Sequence, residues 1–107
     1  MSKVRFISVP LNKKGIEEYY HGIEDTRNIK VFELNEDEFE ELYSSGIFEE
    51  INSMCRLLID DYESEILDKK NLELSQNILK NYNLEYSKFN NALELAIKKD
   101  TLVGLDF

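Results

Sequence analysis

The chain has 107 residues, of which 42% are hydrophobic, and a formal net charge of −9 at pH 7. That length fits one domain, residues 1–107, and the hydrophobic share argues against disorder despite the charge. The negative balance works against binding nucleic acid or an anionic membrane, because phosphates are met by Lys and Arg. No apolar run reaches the roughly 20 residues that span a bilayer, and the start of the chain has too short an apolar stretch for a signal-peptide core. A cytoplasmic protein is expected, which the lone Cys55 fits, since it can form no internal disulfide.

The N-terminal segment from Lys3 to Val9 is rich in β-branched and aromatic residues and stops at Pro10, which reads as a strand ended by the missing N–H. Its alternation is imperfect, so cover on both faces is expected. Leu11 to Gly22 is open to two readings. Ile16, Tyr19, Tyr20 and Ile23 have helical spacing, while the paired tyrosines also suit a strand; a short helix is favoured. Ile29 to Leu34 reads as a second strand.

At Asn35 the pattern turns helical. Asn35 can accept from first-turn amides, Glu38 three residues on completes a capping-box signal, and Glu36 and Asp37 favour the positive end of the helix dipole. Phe39, Leu42 and Tyr43 form its apolar stripe, and Ser44-Ser45-Gly46 ends it with a glycine suited to a left-handed cap. A longer helix is predicted from Ile47 to Tyr62, with Phe48, Ile51, Met54, Cys55, Leu58, Ile59 and Tyr62 within about a 140° arc at ~100° per residue. Leu57 breaks that stripe. It is either packed under a neighbouring loop or an apolar anchor inside an acidic patch.

Asn71 to Tyr82 predicts a third helix with Leu72, Ile78, Leu79 and Tyr82 inward, and Ser87 to Lys99 a fourth with Phe89, Ala92, Leu93, Ala96 and Ile97 inward. Thr101 to Phe107 is extended, its terminal aromatic expected to dock on the sheet. The sum is an α+β fold: a small β-sheet from both chain termini packed against about four helices.

Charge is concentrated along this chain. Between Glu33 and Glu65 stand twelve carboxylates and one base, Arg56, a net −11, while both flanking regions are near neutrality. Glu36, Asp37, Glu40 and Glu41 project from the solvent side of the first acidic helix, and Glu49, Glu50, Asp60, Asp61, Glu63 and Glu65 extend the charge around the next. With Leu57, these are the candidate partner-binding residues.

No motif for catalysis accompanies them. The cluster Asp60-Asp61-Tyr62-Glu63-Ser64-Glu65 has oxygen ligands for a hard cation, but lacks the alternate spacing and glycine of an EF-hand loop. His21, the only histidine, has no Ser or Cys partner that the sequence assigns, and phosphate loops, CxxC pairs and HExxH are missing. A non-enzymatic binding protein without metal or cofactor is expected, its natural complement a basic protein.

The stretch Gly46 to Leu67, with Gly-Ile-Phe-Glu-Glu-Ile-Asn and Leu-Ile-Asp-Asp-Tyr-Glu, and the ending Leu-Glu-Leu-Ala-Ile with Val-Gly-Leu-Asp-Phe107, resemble the small acidic immunity proteins of bacterial polymorphic toxin systems, those of contact-dependent growth inhibition above all. The resemblance covers about half the chain and carries over no contact residue. It implies a cytoplasmic protein that binds and neutralises the toxic C-terminal domain of a cognate effector, often a basic nuclease. The same carboxylates suit two other expectations: a phage-type inhibitor or nucleic-acid mimic, and a small metal-binding domain built on Asp60, Asp61, Glu63 and Glu65.

Overall fold

The computed structural model describes residues 4–23, 26–57, 59 and 64–107. Strand β1 (Arg5–Pro10) pairs antiparallel with β2 (Ile29–Leu34) on one side and with β4 (Val103–Asp106) on the other, and β3 (Ser64–Leu67) lies antiparallel beyond β4. The sheet order is therefore β2-β1-β4-β3: the two chain ends meet in one sheet, as the sequence predicts, and the structure places them as its inner strands. The missing N–H of Pro10 is harmless at the last residue of its strand. Its carbonyl accepts from the hydroxyl of Thr101 at 2.6 Å, which pins the start of the last strand to the end of the first.

One face of the sheet carries Ile7, Val9, Leu34, Leu67, Val103 and Leu105, and this face is closed by four helices. These are α2 (Glu36–Ser44), α3 (Ile47–Cys55), α4 (Lys69–Asn81) and α5 (Lys88–Lys99). The α5 positions Phe89, Ala92, Leu93 and Ala96 are fully buried, as their spacing predicts, and the two alanines let the helix lie close on β1. Phe39, Phe48, Phe89 and Phe107 form an aromatic cluster with ring centroids 5.0 to 6.3 Å apart. The terminal Phe107 is thus docked rather than frayed.

The ambiguous segment after β1 is helical: α1 (Lys13–Tyr20) starts at Asn12, whose side chain accepts from the Gly15 amide at 2.8 Å. It packs on the opposite face of the sheet from the other four helices, and Tyr19 stands on Gly104, where an added Cβ would lie 2.0 Å from the tyrosine oxygen. Close approach explains the glycine. Ser8 and Pro10 on this second face are buried in consequence while Phe6 stays exposed, so β1 is covered on both faces over its second half alone, which accounts for its broken alternation.

The predicted helix from Ile47 to Tyr62 is corrected. It ends at Cys55, with Arg56 in the left-handed region at φ 57° and the amide of Leu57 donating to the carbonyl of Asn52. The Asn52 side chain then bonds both backbone groups of Ile59, accepting at 2.6 Å and donating at 3.1 Å, so the chain leaves the helical path held as if by a strand partner. Met54, expected inward, is 57% exposed. Leu58 and Tyr62 lie outside the described residues. The strand β3 that follows has no counterpart in the sequence reading, which places Glu65 on an extension of the helix.

Candidate functional site

The first acidic helix is held at its start by the reciprocal bonds its sequence predicts. Asn35 Oδ1 accepts from the Glu38 amide at 2.8 Å, and Glu38 Oε1 accepts from the Asn35 amide at 2.9 Å, a complete capping box. That bond from the Asn35 amide, reinforced by Lys88, holds the Glu38 carboxyl below the usual carboxylate range. Gly46, at φ 89°, turns the chain between α2 and α3 in a conformation that favours glycine.

With Phe39 and Leu42 buried, the solvent arc of α2 carries Glu36, Glu40, Asp37 and Glu41, the four residues that the sequence placed there. Tyr43, expected on the buried stripe, is 43% exposed at the margin, its ring against Phe39 and Phe48. The carboxylates differ in what holds them. Glu36 lies 3.4 Å from the Arg5 guanidinium, which is itself buried and stacked 3.7 Å over the Phe39 ring. Glu38 pairs with Lys88 at 3.0 Å, and the same ammonium donates to the carbonyl of Glu33 at 2.8 Å. Glu41 accepts from the hydroxyl of Tyr86. Asp37 and Glu40 are exposed, with no hydrogen bond or ion pair to their side chains among the described residues.

On α3, Glu49 is exposed and Glu50 half-buried, accepting from the Tyr82 hydroxyl at 2.9 Å. Tyr82, placed inward by its spacing, is half-buried and packs against the core at the end of α4, while its hydroxyl reaches out to hold a carboxylate on α3. The hydrogen bond to Glu50 raises the Tyr82 pKa and that to Glu41 raises the Tyr86 pKa, so both phenols stay protonated donors in neutral solution. Neither tyrosine was singled out as a site residue from sequence. Each is separated from its carboxylate by more than 30 positions, and no local spacing signals such a contact.

Glu65 and Leu57 do not join this surface as a helical continuation. Glu65 sits on β3 opposite Leu105, half-buried, its carboxylate accepting from the Ile66 amide at 3.1 Å. Leu57 is half-buried and packed against the core, in keeping with the packed alternative. Asp60, Asp61 and Glu63 lie outside the described residues. Among the described residues no group of three or more His, Cys, Asp or Glu side chains converges to hold a metal. Burial pushes the half-buried Cys55 thiol up in pKa, the opposite of an activated nucleophile. His21 caps α1 on the exposed surface.

The arrangement defines a class: an antiparallel α+β domain whose helical layer displays carboxylates over a tightly packed aromatic core. Among the described residues, no helix is long and apolar enough to cross a membrane. No family model matches the chain, and no curated protein matches it in sequence. A solved structure, the Neisseria DNA mimic protein DMP12, superposes with a TM-score of 0.62 at 15% identity, over 97% of this chain and 98% of that one. The two chains share this fold from end to end.

Proposed function

We propose that this protein is a nucleic-acid mimic, an acidic inhibitor that occupies the nucleic-acid-binding surface of a basic partner with carboxylates in place of phosphates. The observation that carries the reading is the charge spacing along α2. Residues 36–41 hold five carboxylates, and at about 1.5 Å of rise per residue they occupy roughly 9 Å of helix axis. Arg5 and Lys88 neutralise Glu36 and Glu38. The remaining three give about one charge per 3 Å, against ~3.4 Å per charge along one strand of duplex DNA. The solvent arc of α2 therefore resembles a short stretch of a single phosphate backbone, which Glu49 and Glu50 on α3 extend.

The fold shared with a protein named as a DNA mimic supports the same reading. So does the anchoring of Glu41 and Glu50 by Tyr86 and Tyr82, because carboxylates ordered before binding lose less entropy on complex formation. Long-range attraction to a basic cleft raises association rates by about 10- to 1,000-fold at low salt. The expected setting is the cytoplasm, and the expected partner a DNA-binding protein or a nuclease. An immunity protein that neutralises the nuclease domain of a cognate toxin is the narrower form of this proposal, since such a domain also presents a basic cleft to phosphates.

The test is competition. A partner captured on the immobilised chain should be released by duplex DNA and by rising salt; a partner that binds DNA and this protein at once, with neither weakening the other, would sink the proposal. Co-expression with a neighbouring toxin gene examines the narrower form. Equal killing with and without this chain would remove it.

A further inference from the structure

The sheet face that lies away from α2 to α5 carries an aromatic ring between two carboxylates. The strand register sets Glu33 on β2, Phe6 on β1, Asp106 on β4 and Ser64 on β3 in one row straight across the sheet. Directly opposed residues point to the same side, and strands lie about 4.8 Å apart, so the Glu33 and Asp106 positions are roughly 10 Å apart with Phe6 between them. Phe6 is 40% exposed, and Ser64 Oγ donates to Asp106 Oδ1 at 2.8 Å, which orients that carboxylate.

The next row is Val31, Ser8, Gly104 and Ile66, with Tyr19 standing on the glycine. These residues, with Tyr20 and Ile23 beyond them, line an open trough of about 990 Å³. Its walls are well exposed, Val31 at 47% and Tyr20 at 61%. Lys30 and Glu65 also border it, but their register partners, Val9 and Leu105, belong to the core side. The Lys30 ammonium is 5.7 Å from the ring of Phe32, which packs against that core. Thr26, at the α1 end of the trough, donates to the carboxylate of Glu18 at 3.1 Å. Among the described strand residues, the charged side chains on this face are thus both acidic, and Asp106 adds to burial in raising the Tyr19 pKa.

An exposed aromatic face flanked by carboxylates attracts a cation and repels an anion. A guanidinium suits it better than an ammonium, because a planar group stacks on a ring while its edge donates to carboxylates on either side. The exposure of the trough along its length fits a side chain presented by a protein better than an enclosed small molecule. We propose that this face is a second binding surface that takes an arginine of a basic polypeptide, its guanidinium stacked on Phe6 between Glu33 and Asp106 and its stem along Val31 and Tyr20. The contact stands apart from the nucleic-acid mimicry of α2 and α3, which lie across the sheet.

The experiment is an amide-detected NMR titration of the full chain with the peptide acetyl-Gly-Arg-Gly-amide, beside the same peptide carrying uncharged citrulline. Saturable shifts at Phe6, Val31 and Asp106 are expected with the arginine peptide and not with citrulline. Phe6→Leu should weaken binding about 2- to 5-fold, the loss expected for a cation–π contact at an exposed site, and Asp106→Asn, which keeps the Ser64 hydrogen bond, should also weaken it. Unchanged spectra elsewhere in both variants verify the fold, and Asp37→Asn with Glu40→Gln should leave affinity unaltered. Equal binding of the citrulline peptide, shifts confined to α2 and α3, or full affinity in Phe6→Leu would each overturn the proposal. Tighter binding of spermidine than of the arginine peptide would overturn the polypeptide as its source. DNA competition with a captured partner reads the mimicry independently.

Discussion

The two faces of this molecule display negative charge in different ways. On the helical face, carboxylates crowd along α2 and α3 above buried phenylalanines, and several are restrained by a base or a tyrosine hydroxyl. On the outer sheet face, two carboxylates are spaced by strand register around an exposed ring. A dense array suits a partner that reads charge along a line, whereas a sparse pair around an aromatic suits one shaped cation. The comparison shows that net charge alone does not describe an acidic surface; the backbone that spaces the acids decides what they can hold.

The largest expected effect comes from breaking what both faces share. Phe39 touches Arg5, Tyr43, Phe48 and Phe107, and Phe39→Ala should destabilise the fold by about 3–5 kcal/mol. Urea unfolding should show the midpoint falling steeply, with binding at both faces lost together. If the outer face keeps its ligand when α2 is loosened, the faces do not depend on one core.

Next in size is the charge array. Asp37→Lys, Glu40→Lys and Glu49→Lys combined should slow association with a basic partner about 10-fold or more at low salt. The three side chains make no hydrogen bond or ion pair among the described residues, so stability should shift little, whereas reversing Glu36 would also strip Arg5 of a carboxylate. Stopped-flow kinetics across a salt series checks this; rates equal to the native protein's would exclude the helical face as the docking surface.

Asn35→Ala should cost about 1 kcal/mol, the usual loss for an N-cap. The Glu38 carboxyl is depressed in the fold, so its stabilising contribution is present above the ordinary carboxylate pKa of 4.5 and is lost as pH falls through the lower folded value. Urea midpoints followed from neutral to acidic pH should therefore drop in the native protein and drop less in Glu38→Gln, which has no carboxyl to titrate there, whereas Asn35→Ala keeps the backbone N–H that donates to Glu38 and should keep the pH dependence. The smallest effect is that of Tyr86→Phe, which removes the hydroxyl holding Glu41 and leaves the ring. Partner affinity should weaken by a few-fold at most, with thermal stability unmoved in a melting experiment.

Much of the fold is legible in local signals. The capping box at Asn35, the four-residue solvent arc of α2, the buried stripe of α5 and both inner strands follow from neighbours a few positions apart, where propensity and periodicity act. The error at α3 has an equally physical origin. Apolar spacing continues past Cys55 in the sequence, but the left-handed Arg56 and the Asn52 bonds to Ile59 stop the helix, and residues 64–67 take their hydrogen bonds from β4 instead. A four-residue strand at a sheet edge leaves too little alternation to compete with a helical period.

The sequence by itself determined where the charge lies, that α2 would present it to solvent, and that the two chain ends would meet in a sheet. Those are consequences of composition, caps and repeat periods. Only the tertiary structure decided which carboxylates are neutralised or oriented, since Glu50 meets Tyr82 across 32 positions and Glu41 meets Tyr86 across 45. The row of Glu33, Phe6 and Asp106 likewise depends on strand register, and a slip of one residue would turn Phe6 to the other face of the sheet.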